Sequence, residues 1–155
     1  MSDTLEFAKL RLEELVSFFG VNVSVAADVT DEGIQLSIDS TPATPRLIGH
    51  RGETLRALEY LMNQMVKAHD GLSPRIMVDV AGYKEARRHA LEEQAREVAA
   101  RVKDSNAEEE LKPMNPADRR IVHMALREIS GVKTESRGDG HDRRIVVLPG
   151  DADPS

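Results

Sequence analysis

The chain is 155 residues long, enough for one ordinary domain or two small ones. It has no cysteine, no tryptophan, 3% aromatic residues and a formal net charge of -6, which excludes disulfides, thiolate nucleophiles, cysteine zinc sites and broad aromatic stacking platforms. No apolar run approaches the ~20 residues of a membrane span, and Met1 to Glu6 has neither the basic start nor the apolar stretch of a signal peptide, so a soluble, cytoplasmic protein without membrane insertion is expected. The charge is unevenly spread. Residues 1–45 hold 2 basic and 8 acidic residues, residues 46–105 hold 11 and 9, and residues 106–155 hold 8 and 10. A local cationic face therefore stays open in the middle and in the last third, although the average is acidic.

Leu5, Ala8, Leu12, Leu15, Val16 and Phe19 recur at helical spacing, and Gly20 stops the run. Val21, Val23 and Val25 then alternate with Asn22, Ser24 and Ala26, as Ile34, Leu36 and Ile38 do with Gln35, Ser37 and Asp39. Two half-buried strands are predicted, around a turn at Asp31-Glu32-Gly33. The Pro-containing segment Thr41 to Pro45 leads into Arg46-Leu47-Ile48. From Glu53 to about Ala68, Leu55, Leu58, Leu61, Met62, Met65 and Val66 form the stripe of a second amphipathic helix, and Ile76, Val78 and Val80 mark a third strand. A long helix begins near Tyr83 with Leu91, Ala95, Val98 and Val102 inward, and Glu92–Arg96 and Glu97–Arg101 are spaced as i,i+4 ion pairs. The charged stretch Ser105 to Pro113 reads as a boundary. Beyond it, Asn115 is a good N-cap, Pro116 suits the first helical position and Asp118 favours the first turn. That helix is expected to end near Gly131, before strands at Val132 to Ser136 and Arg143 to Leu148 joined by Gly138-Asp139-Gly140.

Gly49 and Gly52 flank His50 and Arg51 directly before the Glu53 helix. Two glycines at this spacing permit a sharp turn and let a ligand approach where a Cβ would block it. Amides and dipole at the helix start attract phosphate oxygens, and Arg51 adds a full charge. Taken alone, the same residues also fit a bare helix-entry loop. In the order helix, strand, strand, short helix, Gly-x-x-Gly, helix, strand, however, the segment Arg46-Leu47-Ile48-Gly49-His50-Arg51-Gly52-Glu53-Thr54-Leu55 resembles the KH signature in its type II arrangement. That resemblance implies that Gly49, His50, Arg51 and Gly52 clamp a nucleic-acid backbone, with the bases along an apolar groove made by Leu47 and Ile48, the following helix and the edge strand around Ile76 to Val80. Ordinary core is the competing reading for Leu47, Ile48 and Ile76. Pro45-Arg46 departs from the pattern, which would have a more regular short helix there.

Arg119 and His123 stand four residues apart, on one helix face. At about 100° per residue, Arg119, Arg120, His123 and Arg127 share one sector, while Ile121, Val122, Ala125, Leu126 and Ile129 occupy another. An Arg and a His separated by three residues give the R-three-H domain its name, and Leu111-Lys112-Pro113-Met114-Asn115-Pro116 through His123-Met124-Ala125-Leu126 resembles that domain as it occurs in the bacterial Jag family. The junction Asp79 to Arg88 resembles that family too, so the likeness runs from about residue 5 to 149. It implies binding of single-stranded RNA, with single-stranded DNA as the alternative, on a face carrying Arg119, Arg120, His123 and Arg127. It also implies a small KH-only protein as partner, and leaves a homo-oligomer open. The extra N-terminal domain of many Jag proteins is not expected here, and functions attached to it are not carried over. A solvated basic face with His123 packing locally is the plain alternative. Arg143 and Arg144 read either as further phosphate contacts or as exposed strand residues.

No Gly-Lys-Ser/Thr follows Gly52, so the P-loop chemistry is missing. His50, His69, His89, His123 and His141 lack metal-ligand spacing, and no nucleophile-elbow pattern appears. No enzyme, catalytic residue, metal or cofactor is expected. The expected fold is α+β: a type II KH-like domain at 1–82 with a three-stranded sheet and packed helices, a connecting helix and linker at 83–110, a small α/β domain of the R-three-H type at 111–149, and a tail at 150–155. The competing function is a protein-interaction module whose KH-like groove receives a peptide or a partner KH protein.

Overall fold

A computed structural model describes residues 1–150; of the expected tail, all but Gly150 lies outside the described residues. The fold is α+β, and the chain divides into two compact units, Met1–Lys84 and Glu85 onward.

The first unit runs α1 (Ser2–Ser17), β1 (Val25–Thr30), β2 (Gly33–Ile38), α2 (Thr44–Ile48), a 3-10 turn at His50–Gly52, α3 (Glu53–His69) and β3 (Ile76–Val80). Its sheet has the order β1-β2-β3, with β1 antiparallel and β3 parallel to β2. Alternation puts Ile34, Leu36 and Ile38 on the same face as Ile76, Val78 and Val80, and all six are buried. Ala8, Leu12 and Val16 from α1 and Leu55, Leu58, Met62 and Val66 from α3 close the same core. Where the alternation of valines predicts a strand over Val21 to Ala26, the strand lies four residues later. Asp31-Glu32 forms a two-residue turn that pairs Thr30 with Gly33 and Val25 with Ile38, so the length of β2 decides which residues of its neighbour pair. In α2, Pro45 sits within the first helical turn, where an N–H would have no intrahelical partner. The apparent departure at Pro45-Arg46 is therefore compatible with a helix.

The second unit contains nearly all of α4 (Tyr83–Ser105), then β4 (Glu109–Glu110), α5 (Pro116–Arg127), β5 (Val132–Arg137), a 3-10 turn at Gly140–Asp142 and β6 (Arg144–Pro149). Its sheet is antiparallel in the order β4-β6-β5. Leu91, Ala95, Val98, Ala99 and Val102 of α4 pack with Val122 and Leu126 of α5 and with Ile145 and Val147 of β6. The segment read as connecting helix and linker thus supplies much of this unit's core. In place of the predicted i,i+4 pairs, Glu92 pairs with Arg88 and Arg101 with Glu109. Asn115 caps α5 by accepting a hydrogen bond from the Asp118 amide at 2.9 Å. The Asp118 carboxylate, 5% exposed, is answered by Arg87 at 3.0 Å, which offsets the cost of burying it.

Candidate nucleic-acid interface

In the first unit the Gly-x-x-Gly element is a backbone structure. The Gly49 amide closes α2 by donating to the Pro45 carbonyl at 2.9 Å. Gly49, Arg51 and Gly52 all take positive φ, at 72°, 51° and 77°. A Cβ on Gly49 would fall 2.2 Å from Thr54 Oγ1 and 2.9 Å from the Thr54 amide, and one on Gly52 would fall 2.9 Å from the Tyr83 ring. Both positions are therefore held to glycine by space as well as by torsion. No side chain caps α3; its first amide, that of Glu53, donates to the His50 carbonyl. Arg56 donates to the Arg51 carbonyl at 3.0 Å, which braces the turn. His50 is exposed, Arg51 and Ile48 are half-buried and Gly52 is buried. Leu47 is 0% exposed; it anchors α2 to the core and presents no surface to a ligand, and Ile76 is equally enclosed. The outward edge of β3 is also occupied. Asn63 donates to the Ile76 carbonyl at 2.7 Å and accepts from its amide at 2.9 Å, while Glu59 accepts from the Val78 amide at 2.9 Å and pairs with Lys84.

In the second unit the site is made of side chains. Arg119, Arg120, His123 and Arg127 of α5 line one concavity of about 440 Å³ with Pro116, Met124, Ser136 and Arg143, and none of these lining residues is acidic. The four predicted residues of α5 are thus brought together. Thr134 and Ser136 lie opposite Val147 and Ile145, so alternation turns both hydroxyls toward the helices. His123 fits between them, with Nδ1 2.8 Å from Thr134 Oγ1 and Nε2 3.1 Å from Ser136 Oγ. Partial burial, then the charges of Arg119 and Arg143, hold its imidazole below the usual histidine range. Arg119 donates to the Met114 carbonyl at 2.6 Å and Arg143 to the Gly138 carbonyl at 3.1 Å, so two of the guanidinium groups are oriented by backbone.

The structure separates the two arginines that the sequence leaves equivalent. Arg143 lines the concavity, whereas Arg144 binds Glu110 at 2.7 Å. Arg137 likewise meets Glu108 and Glu135, each at 3.0 Å. Glu110 and Glu135 are the cross-strand partners of Val146, so this lattice of charges lies over a fully buried valine on the sheet's outer face. Sequence reasoning misses Thr134 and Ser136 as site residues. Their signal is a pair of hydroxyls at strand spacing, legible only once β5 is known to face α5. Among the described residues, no cluster of three or more His, Asp or Glu could hold a metal ion, and no helix is long and apolar enough to cross a membrane.

Residues 89–149 match the R-three-H domain family. The chain is similar to the RNA-binding protein KhpB of Clostridium symbiosum, at 33% identity over 82% of this chain and 57% of that protein. It is similar to the RNA-binding protein KhpB of Bacillus subtilis, at 29% over 94% of this chain and 70% of the relative. The same-named protein of Streptococcus pneumoniae is 27% identical over 88% of this chain. The chain spans 57% of the first of these relatives and 41% of the last.

Proposed function

We propose that the chain is a member of the Jag family of proteins with an R-three-H domain, and that it binds single-stranded nucleic acid, RNA before DNA, as a binding protein and not an enzyme. The observation that carries this reading is the concavity beside α5. In a protein of net charge -6, four arginines and a histidine converge on one depression that no carboxylate lines. Elsewhere on the same unit, Arg88, Arg101, Arg137 and Arg144 are each paired with glutamate. Cations kept apart from acids suit an anionic partner, and guanidinium groups suit phosphate oxygens.

In this proposal the first unit is a KH-like domain of type II, supported by its order α-β-β-α-α-β with the Gly-x-x-Gly element between α2 and α3. Gly49, His50, Arg51 and Gly52 hold backbone phosphate at the start of α3, and Ile48 borders the strand's path. Leu47 supports the loop from the core. The peptide-binding alternative is disfavoured by Asn63 and Glu59, because an added strand on β3 would have to displace their hydrogen bonds to Ile76 and Val78. A cytoplasmic setting, a KH-only partner and self-association are companion proposals carried over from the family resemblance.

The test is a competition experiment on the full chain. A labelled single-stranded RNA should be displaced by unlabelled single strand far better than by perfect duplex, since bases must be unstacked to be read. The Arg119→Ala, His123→Ala variant should keep its circular dichroism and bind at least ~10-fold more weakly, a loss of about 1.4 kcal/mol. Equal competition by duplex, or an unchanged affinity in the variant, counts against the proposal.

A further inference from the structure

Helix α5 has three faces, and two are explained. Val122 and Leu126 enter the core, and Arg119, His123 and Arg127 line the cationic concavity. The third face carries Met124 together with Ile121 and Ala125, both half-buried against the core, as is Ile129 just beyond the end of the helix. This face forms one wall of a groove of about 470 Å³, whose opposite wall is Arg88 and Arg96 of α4. Met124 is 55% exposed, an unusual position for an unbranched apolar side chain at the centre of a helix face. It also lines the cationic concavity, so the two depressions share this one side chain.

The geometry points to this groove as a nucleobase subsite, taking a base of the same strand whose phosphate lies in the cationic concavity; the inference rests on the function proposed above. Charge sorts the two halves of a nucleotide between the two depressions. In the groove, the arginines are balanced by Glu92 and Glu128, and Arg88 is already bound to Glu92 at 3.1 Å. A phosphate gains little there, whereas an uncharged ring loses little. The concavity on the far side of Met124 has cations and no lining acid, which fixes the charged backbone there. A planar base then has an apolar floor for its face, and guanidinium donors and carboxylate acceptors at the rim for its edge. A thioether is well suited to such a floor, being polarisable and able to adapt to rings of different shape.

The experiment compares a short single-stranded RNA with the same backbone carrying abasic sites, on wild type, Met124→Ala and Met124→Leu. Wild type should bind the base-bearing strand more tightly. Met124→Ala should weaken that binding about fivefold, as expected for loss of partial burial of one apolar side chain, and weaken abasic binding clearly less; an equal loss on both strands would overturn the base subsite. Met124→Leu should restore most of it. Because Met124 is largely exposed, truncation should leave folding intact, to be checked by thermal melting. If Met124→Ala binds both strands as wild type does while Arg119→Ala weakens both, the phosphate site stands and the base subsite is wrong. Absence of any loss with Arg119→Ala would overturn the underlying function as well.

Discussion

The Gly-x-x-Gly loop of the first unit and the arginine–histidine concavity of the second are built from different materials. The loop consists of positive-φ backbone at Gly49, Arg51 and Gly52, packed so closely on Thr54 and Tyr83 that a methyl group does not fit. The concavity is built from long side chains on α5 and on the approach to β6, around a histidine held by two hydroxyls. A backbone site fails by losing its shape, and a side-chain site by losing its charge. Changes to the backbone should therefore couple folding to binding at the first, whereas changes to side-chain charge should separate them at either.

The largest effect is expected where that coupling is tightest. Gly49→Ala adds a methyl group 2.2 Å from Thr54 Oγ1 and 2.9 Å from the Thr54 amide at a φ of 72°. The combined strain and overpacking should destabilise the first unit by ~2–4 kcal/mol, read as a lowered denaturation midpoint together with lost binding. Gly52→Ala meets an aromatic ring, which can shift more easily than backbone, and should cost less. A normal midpoint for Gly49→Ala would mean that the loop has another conformation.

Charge reversal should then separate shape from affinity. His50→Asp, Arg51→Asp leaves both glycines in place, so the fold should survive, while binding of a strand only long enough for one site falls at least ~10-fold. A strand long enough to engage both units gains from effective concentration and should lose less. Equal losses on the short and the long strand would show that the two regions do not bind independently.

The smallest effect is a pH dependence confined to the second region. With His123 held below the usual range, its neutral form predominates at pH 7. A phosphate in the concavity would favour the imidazolium, so affinity should rise as pH falls from 7.5 to 5.5, by about tenfold for each pKa unit gained on binding. Stability should move the opposite way. The unfolded chain takes up the proton first, so the contribution of neutral His123 is complete above the unfolded pKa and is lost as pH falls toward the folded one. His123→Gln should flatten the affinity profile, and a profile unchanged by that substitution would remove His123 from the phosphate site.

The contrast between the regions also explains what can be read in the sequence. Apolar periodicity locates α1, α3, β2, β3 and α5 because each buries one face, and Asn115-Pro116 marks the start of α5 through its capping chemistry. Clustering Arg119, Arg120, His123 and Arg127 requires only the helical repeat. Features that depend on a second element are not legible. The position of β1 is set by its turn with β2, and β4 is a two-residue strand inside a run of glutamates. The burial of Leu47, the capping of β3 by Asn63 and Glu59, and the diversion of Arg144 to Glu110 follow from contacts far apart in sequence. Arg143 and Arg144 are indistinguishable as neighbours in the sequence; the Gly138 carbonyl holds the first, which lines the concavity, and Glu110 on β4 takes the second.

The central claim is that the concavity beside α5 neutralises phosphates, and salt dependence tests it most directly. Each phosphate neutralised on a single strand contributes about 0.7 to the magnitude of the slope of log affinity against log salt. With three to six contacts in all, the wild-type slope should be roughly -2 to -4. Removing two guanidinium groups in the Arg119→Ala, Arg127→Ala variant should make it shallower by about 1.4, with the fold retained. A variant that binds more weakly but keeps the wild-type slope would contradict the account, because affinity would then have been lost without any phosphate contact.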